Sequence, residues 1–75
     1  MSLTLEQLNT AHPSGEYYPE HGCYYFIDYD GELGYFIQYN TGEFENEANS
    51  VDIDTLEEEL QLEVLAIARR ISTAA

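Results

Sequence analysis

The stretch "GCYYFIDYDGELGYFIQYNTGEFE", residues 22 to 45, limits the fold more than any other part of the chain: Tyr, Phe and Ile crowd together, and Asp-Gly and then Asn-Thr-Gly interrupt them at strand-length spacing. Aromatic and β-branched residues suit a pleated, half-buried surface, and the interruptions are turn chemistry, so the segment predicts an antiparallel β-meander. Strands are expected over about 22–29, 33–39 and 43–48. With Asp30 and Gly31 as a two-residue type I′ turn, Tyr29 pairs with Glu32, Ile27 with Gly34, Tyr25 with Phe36 and Cys23 with Gln38. Tyr24, Phe26, Leu33, Tyr35, Ile37 and Tyr39 then share the more continuously apolar side, which is the predicted core face. The opposite side keeps Tyr25, Ile27, Tyr29 and Phe36, which if uncovered make an aromatic surface too large for a monomer to leave idle. In the third strand Glu43, Glu45 and Glu47 alternate against Phe44, as on a solvated edge that charge protects from further pairing.

Helices are expected on either side of this meander. In "LTLEQL", Thr4 is placed to cap and Gln7 to reciprocate three residues later, which predicts a short helix over about 3–11, stopped by Pro13 and Gly15. At the other end Asp54 and Glu57 read as N-cap and capping-box acid, Glu58 and Glu59 suit a positive helix end, and Arg69 and Arg70 suit the final turns. A helix over about 55–72 follows, with Leu56, Leu60, Val64, Ile67 and Ile71 on the stripe that packs on the sheet. Leu62 and Leu65 fall on its far side and need a neighbour, either the N-terminal helix or a second copy in a homodimer. The turn-rich "PSGEYYPEHG" is expected to be an ordered loop around its two tyrosines. The predicted fold is α+β: short N-terminal helix, three-stranded meander, long C-terminal helix packed on the sheet, in a single domain over 1–75.

Charge decides which partners such a domain can have. Fifteen Asp and Glu stand against two basic residues, giving a net charge of -13, and before Arg69 there is no fixed positive charge. With 44% hydrophobic and 13% aromatic residues the chain can still fold, but part of its stability offsets self-repulsion. Nucleic acid and anionic lipid should repel it, so the expected partners are cationic. The single cysteine, Cys23, excludes an internal disulfide and argues for a reducing compartment. "MSLTLEQLNT" has neither basic n-region nor apolar run, and no span of eighteen apolar residues occurs, so a cytoplasmic location in a host cell and no membrane contact are expected.

Nothing in the residue set predicts an enzyme. Ser14, Ser50 and Thr55 have no histidine at meaningful spacing, and the phosphate cradles of nucleotide enzymes are missing. A domain of this size has little room for an enclosed pocket. His12, His21 and Cys23 are too few for a zinc site, and "DYDGE" (Asp28, Asp30, Glu32) puts Gly31 fourth where a calcium loop needs glycine sixth. No metal and no cofactor is expected.

The surplus acid remains. On a strand, residues two apart are separated by about 6.6 Å, near two steps of the roughly 3.4 Å charge spacing along one DNA strand. Glu43, Glu45 and Glu47 would imitate a short row of phosphates; Asp52, Asp54, Glu57, Glu58 and Glu59 would extend it; Asp28, Asp30 and Glu32 would add a cluster at the hairpin tip. Tyr17, Tyr18, Tyr29 and Phe44 are candidate desolvated anchors beside these acids. Through its size, its Lys-free acid excess and rows such as "EFENE" and "DIDTLEEE", the chain resembles the small acidic DNA-mimic inhibitors of phages and mobile elements, including anti-CRISPR and anti-restriction proteins. That resemblance implies a basic nucleic-acid-binding partner, such as a CRISPR effector, with the acids above as contact residues. Two alternatives stay open: an immunity or antitoxin-type protein that neutralises a cationic nuclease, and a generic acidic interaction module.

Overall fold

The computed structural model describes residues 2–39, 41–45 and 49–74. A four-stranded antiparallel sheet, in the order β1 (Glu16–Tyr18), β2 (Cys23–Ile27), β3 (Leu33–Ile37), β4 (Asn49–Ser50), carries one helix on each face: α1 (Leu5–Ala11) and α2 (Glu58–Ala74). The α+β class and the two helices match the sequence reading, while the sheet has four strands in place of three.

The capping box at the start of α1 forms as expected. Thr4 Oγ1 accepts from Gln7 N–H at 3.2 Å, and Gln7 Oε1 accepts from Thr4 N–H at 2.9 Å. The strand missed in the sequence is β1, where two tyrosines between Gly15 and Pro19 pair with β2, Tyr17 opposite Tyr24. Its turn back to β2 is closed by His21 N–H on Tyr18 O at 3.1 Å and by Gly22 in the left-handed region, φ 63°.

The hairpin register differs from the expected one by a single residue, and that step changes which rings share a face. Ile27 pairs with Leu33, Tyr25 with Tyr35 and Cys23 with Ile37. The cause is Asp28, whose Oδ1 accepts from the N–H groups of Asp30 (2.9 Å) and Glu32 (3.0 Å) and so draws the chain into a three-residue loop over 29–31. Gly31, at φ 82°, supplies the left-handed residue this loop requires. Because side chains alternate, a one-residue slip sends Leu33 and Tyr35 to the opposite side from Tyr24 and Phe26.

Two cores follow, and neither sheet face is idle. Leu8 of α1 packs with Tyr24, Phe26, Phe36 and Phe44 on one side. On the other, Val64, Ile67 and Ile71 of α2 pack on Tyr25 and Leu33. The residues read as one sheet face are therefore divided and largely covered: Tyr25 and Phe36 are buried under opposite helices, Ile27 is half-buried, and Tyr29 is 97% exposed at the hairpin tip.

The acidic segment also departs from expectation. No strand spans its described part: Phe44 alone bridges Leu3 and Gln38, and pairing with β3 resumes at Asn49, opposite Tyr35. Residues 46–48, which include Glu47, lie outside the described residues. Further on, Asp52 in place of Asp54 acts as N-cap, accepting from Asp54 N–H at 3.2 Å at the start of a 3-10 turn, Ile53–Thr55. Leu56 ends that turn, so the stripe residue expected inside α2 instead packs on the core from outside it. Helix α2 continues to Ala74, leaving Arg69 and Arg70 short of its last turn.

Candidate functional site

Pairing of β3 with β4 brings together acids that are twenty residues apart in sequence. Val51 N–H donates to Leu33 O at 2.9 Å and Ser50 lies opposite Gly34, so residues 51–54 run on beside the β2–β3 hairpin tip. Glu32, Asp52 and Asp54 thereby line one open cleft of about 890 Å³ between this end of the sheet and the C-terminal half of α2. Its apolar surface comes from Ile27, Leu33, Val51 and Ile53 on the sheet side and from Leu65 and Ala68 on the helix side, with Arg69 on the same helix wall.

The cleft volume reaches the range of ordinary binding sites. It is a groove rather than an enclosed chamber. Its acids differ in what they do for the fold. Asp28 and Asp52 spend a carboxylate oxygen on turn and cap N–H groups, whereas Asp30, Glu32 and Asp54 carry no side-chain hydrogen bond or ion pair among the described residues and are exposed. Arg69 is likewise unpaired among the described residues.

The other acids named from the sequence sit elsewhere. Glu43 and Glu45 flank the Gln38 end of β3, opposite to the hairpin tip, where Thr41 Oγ1 donates to Glu45 Oε1 at 3.3 Å. Of the expected row, Glu43 and Glu45 flank the bridge that Phe44 makes with Gln38, and Glu47 lies outside the described residues. Glu57, Glu58 and Glu59 stand at the start of α2, the end from which Glu63 reaches His21, and two of them occupy the first turn, where the helix dipole favours them. Phe44, expected at the partner surface, is a core residue at 0% exposure, with Tyr17 against it edge-on at 5.6 Å. Tyr18 is covered in part by Arg70, whose guanidinium carbon lies 5.8 Å from the ring centroid while its Nη1 reaches Glu16 at 3.5 Å. Leu62 and Leu65 are 66% and 42% exposed; α1 lies across the sheet and does not cover them.

A second constellation was not foreseen. His21 Nδ1 lies 2.7 Å from the Tyr25 hydroxyl, and its Nε2 lies 2.7 Å from Glu63 Oε1. Burial, with Cys23 and Glu63 nearby, pushes the Tyr25 phenol well above its ordinary value of 10.0. These three side chains are forty-two residues apart at their extremes, so no local pattern marks them. With Tyr25 at 6% exposure under α2, the chain ties the β1–β2 turn to the helix.

Among the described residues no three His, Cys, Asp or Glu side chains converge as a metal site, and no helix is long and apolar enough to cross a membrane. Comparison with protein-family profiles, with curated proteins and with solved structures finds no match to the chain.

Proposed function

We propose that the protein is an acidic inhibitor that offers carboxylates where a nucleic acid offers phosphates, and that it occupies the basic groove of a nucleic-acid-binding protein, as the anti-CRISPR resemblance implies. The observation carrying this reading is the gathering of Glu32 and Asp54, both exposed and without a side-chain partner among the described residues, with Asp52 around one cleft beside the hairpin tip that also bears Asp30. Carboxylates kept for solubility alone need no common address. A fixed cluster adds a directional field that raises the encounter rate with a cationic surface. The mechanism is competition for the basic site, with no bond made or broken.

Capture from host lysate at low salt, with elution by a salt gradient, tests the reading. The retained partner should be a nucleic-acid-binding protein that loses its nucleic acid when the inhibitor is added. A variant with Asp30→Asn, Glu32→Gln and Asp54→Asn together should elute at lower salt, with affinity reduced about tenfold or more. Capture unchanged by these substitutions, or a partner that holds its nucleic acid undisturbed, would overturn the proposal.

A further inference from the structure

We infer that the cleft between the hairpin tip and α2 is a docking groove for a basic amphipathic segment of the partner protein, which inserts apolar side chains between Leu65 and Val51 and sets its Lys or Arg residues against Glu32, Asp52 and Asp54. The inference rests on the cationic-partner reading and adds to it a hydrophobic anchor. A surface that only imitated phosphates would need no apolar floor, yet this acid-rimmed cleft is floored by Ile27, Leu33 and Val51. Nothing among the described residues closes it: α1 packs on the opposite sheet face, and Leu65 stays 42% exposed at its wall.

Charge selects the occupant. A second copy would bring its own net charge of -13 onto this rim, and nucleic acid would bring phosphates, so both are repelled. A neutral apolar ligand would leave the acids idle. A segment with apolar residues on one side and cations on the other satisfies floor and rim together, in the manner of an amphipathic helix laid in a groove. Arg69 on the α2 wall sets the orientation, because the segment's cations must face the hairpin and the 3-10 turn, away from that guanidinium. About 890 Å³ admits several side chains at once.

Two synthetic peptides of equal length and equal lysine count supply the test, one with leucines at helical spacing and one with serines in their place. Titrated at low salt and followed by fluorescence anisotropy, the leucine peptide should bind about tenfold more tightly. That margin should vanish in Leu65→Gln, which changes no charge and lies at an exposed position. Amide chemical shifts should move at Ile27, Leu33, Val51 and Ile53, which identifies the groove independently of any variant. Equal affinity for the two peptides, or shifts centred elsewhere, would overturn the docking groove and leave the cationic-partner reading standing. Failure of both peptides to bind would remove that reading as well. A dimer mass in light scattering that Leu65→Gln abolishes would put a second copy in the groove and overturn the inference.

Discussion

Tyr24 is 0% exposed, and its hydroxyl lies 2.7 Å from the His12 carbonyl, just beyond the last residue of α1. That carbonyl also accepts Gly15 N–H at 2.9 Å, and Asn9 Oδ1 lies 3.2 Å from the same phenol, so the hydroxyl pins the end of the helix and the turn after it to the sheet. The same ring explains Gly15: a Cβ there would lie 2.5 Å from the Tyr24 ring carbon Cζ. Gly34 is explained likewise by Phe26, whose Cζ would stand 2.6 Å from an added Cβ and whose ring is stacked on His12 at 4.1 Å. Burying phenols has a consequence at high pH. Tyr24 and Tyr25 both titrate above the ordinary 10.0, mainly because burial disfavours the phenolate. A proton held more tightly in the folded state contributes stability that is complete below about pH 10 and is lost as pH rises through the folded-state value, at about 1.4 kcal/mol per pH unit for each group. Urea unfolding should therefore show falling stability from about pH 10 upward. Tyr25→Phe, which keeps the ring and removes the titrating group, should make that slope shallower, and an equal slope in the variant would assign the loss to other groups.

Among the elements, the β2–β3 hairpin shows how one side chain decides a register. "DG" between apolar runs is the signature of a two-residue turn, and the hairpin was legible from it; the register was not, because Asp28 contributes two hydrogen bonds that a dipeptide rule does not contain. Asp28→Ala removes both, and an expected loss of about 1–2 kcal/mol should appear as a Tm lower by roughly 5 °C or more. Retention of the wild-type Tm would mean that Gly31 alone sets the loop. Helix α1 was readable because its capping box lies within four consecutive residues, and α2 because Val64, Ile67 and Ile71 follow the helical period. The start of α2 was not, since both Asp52 and Asp54 are good caps and the 3-10 turn that uses Asp52 leaves Leu56 as an anchor outside the helix. Strand β1 is three residues long, too short for alternation to stand out between Gly15 and Pro19. For the candidate site, the acids were legible singly, but their grouping was not: only the β3–β4 register puts Asp52 and Asp54 beside Glu32.

At the scale of the whole molecule the acids work against the fold. A net charge of -13 is confined within 30 × 25 × 19 Å, a few screening lengths at most, so each carboxylate feels many others. Among the described residues two ion pairs oppose this, Arg70 with Glu16 and His21 with Glu63, the second only when the imidazole is protonated. Salt therefore screens more repulsion than attraction, and Tm should rise by about 2–5 °C between roughly 10 mM and 300 mM NaCl. The variant with Asp30→Asn, Glu32→Gln and Asp54→Asn separates the two roles a carboxylate can have. Since those three side chains hold no partner among the described residues, their neutralisation should raise Tm at low salt, and the gain should shrink as salt is added. Carboxylates that serve the fold would behave oppositely, lowering Tm when neutralised at any ionic strength. A low-salt gain in Tm from this variant, together with weaker partner capture, would assign Glu32 and Asp54 at the cleft and Asp30 at the hairpin tip to the proposed cationic partner, and a loss of Tm would assign them to the fold.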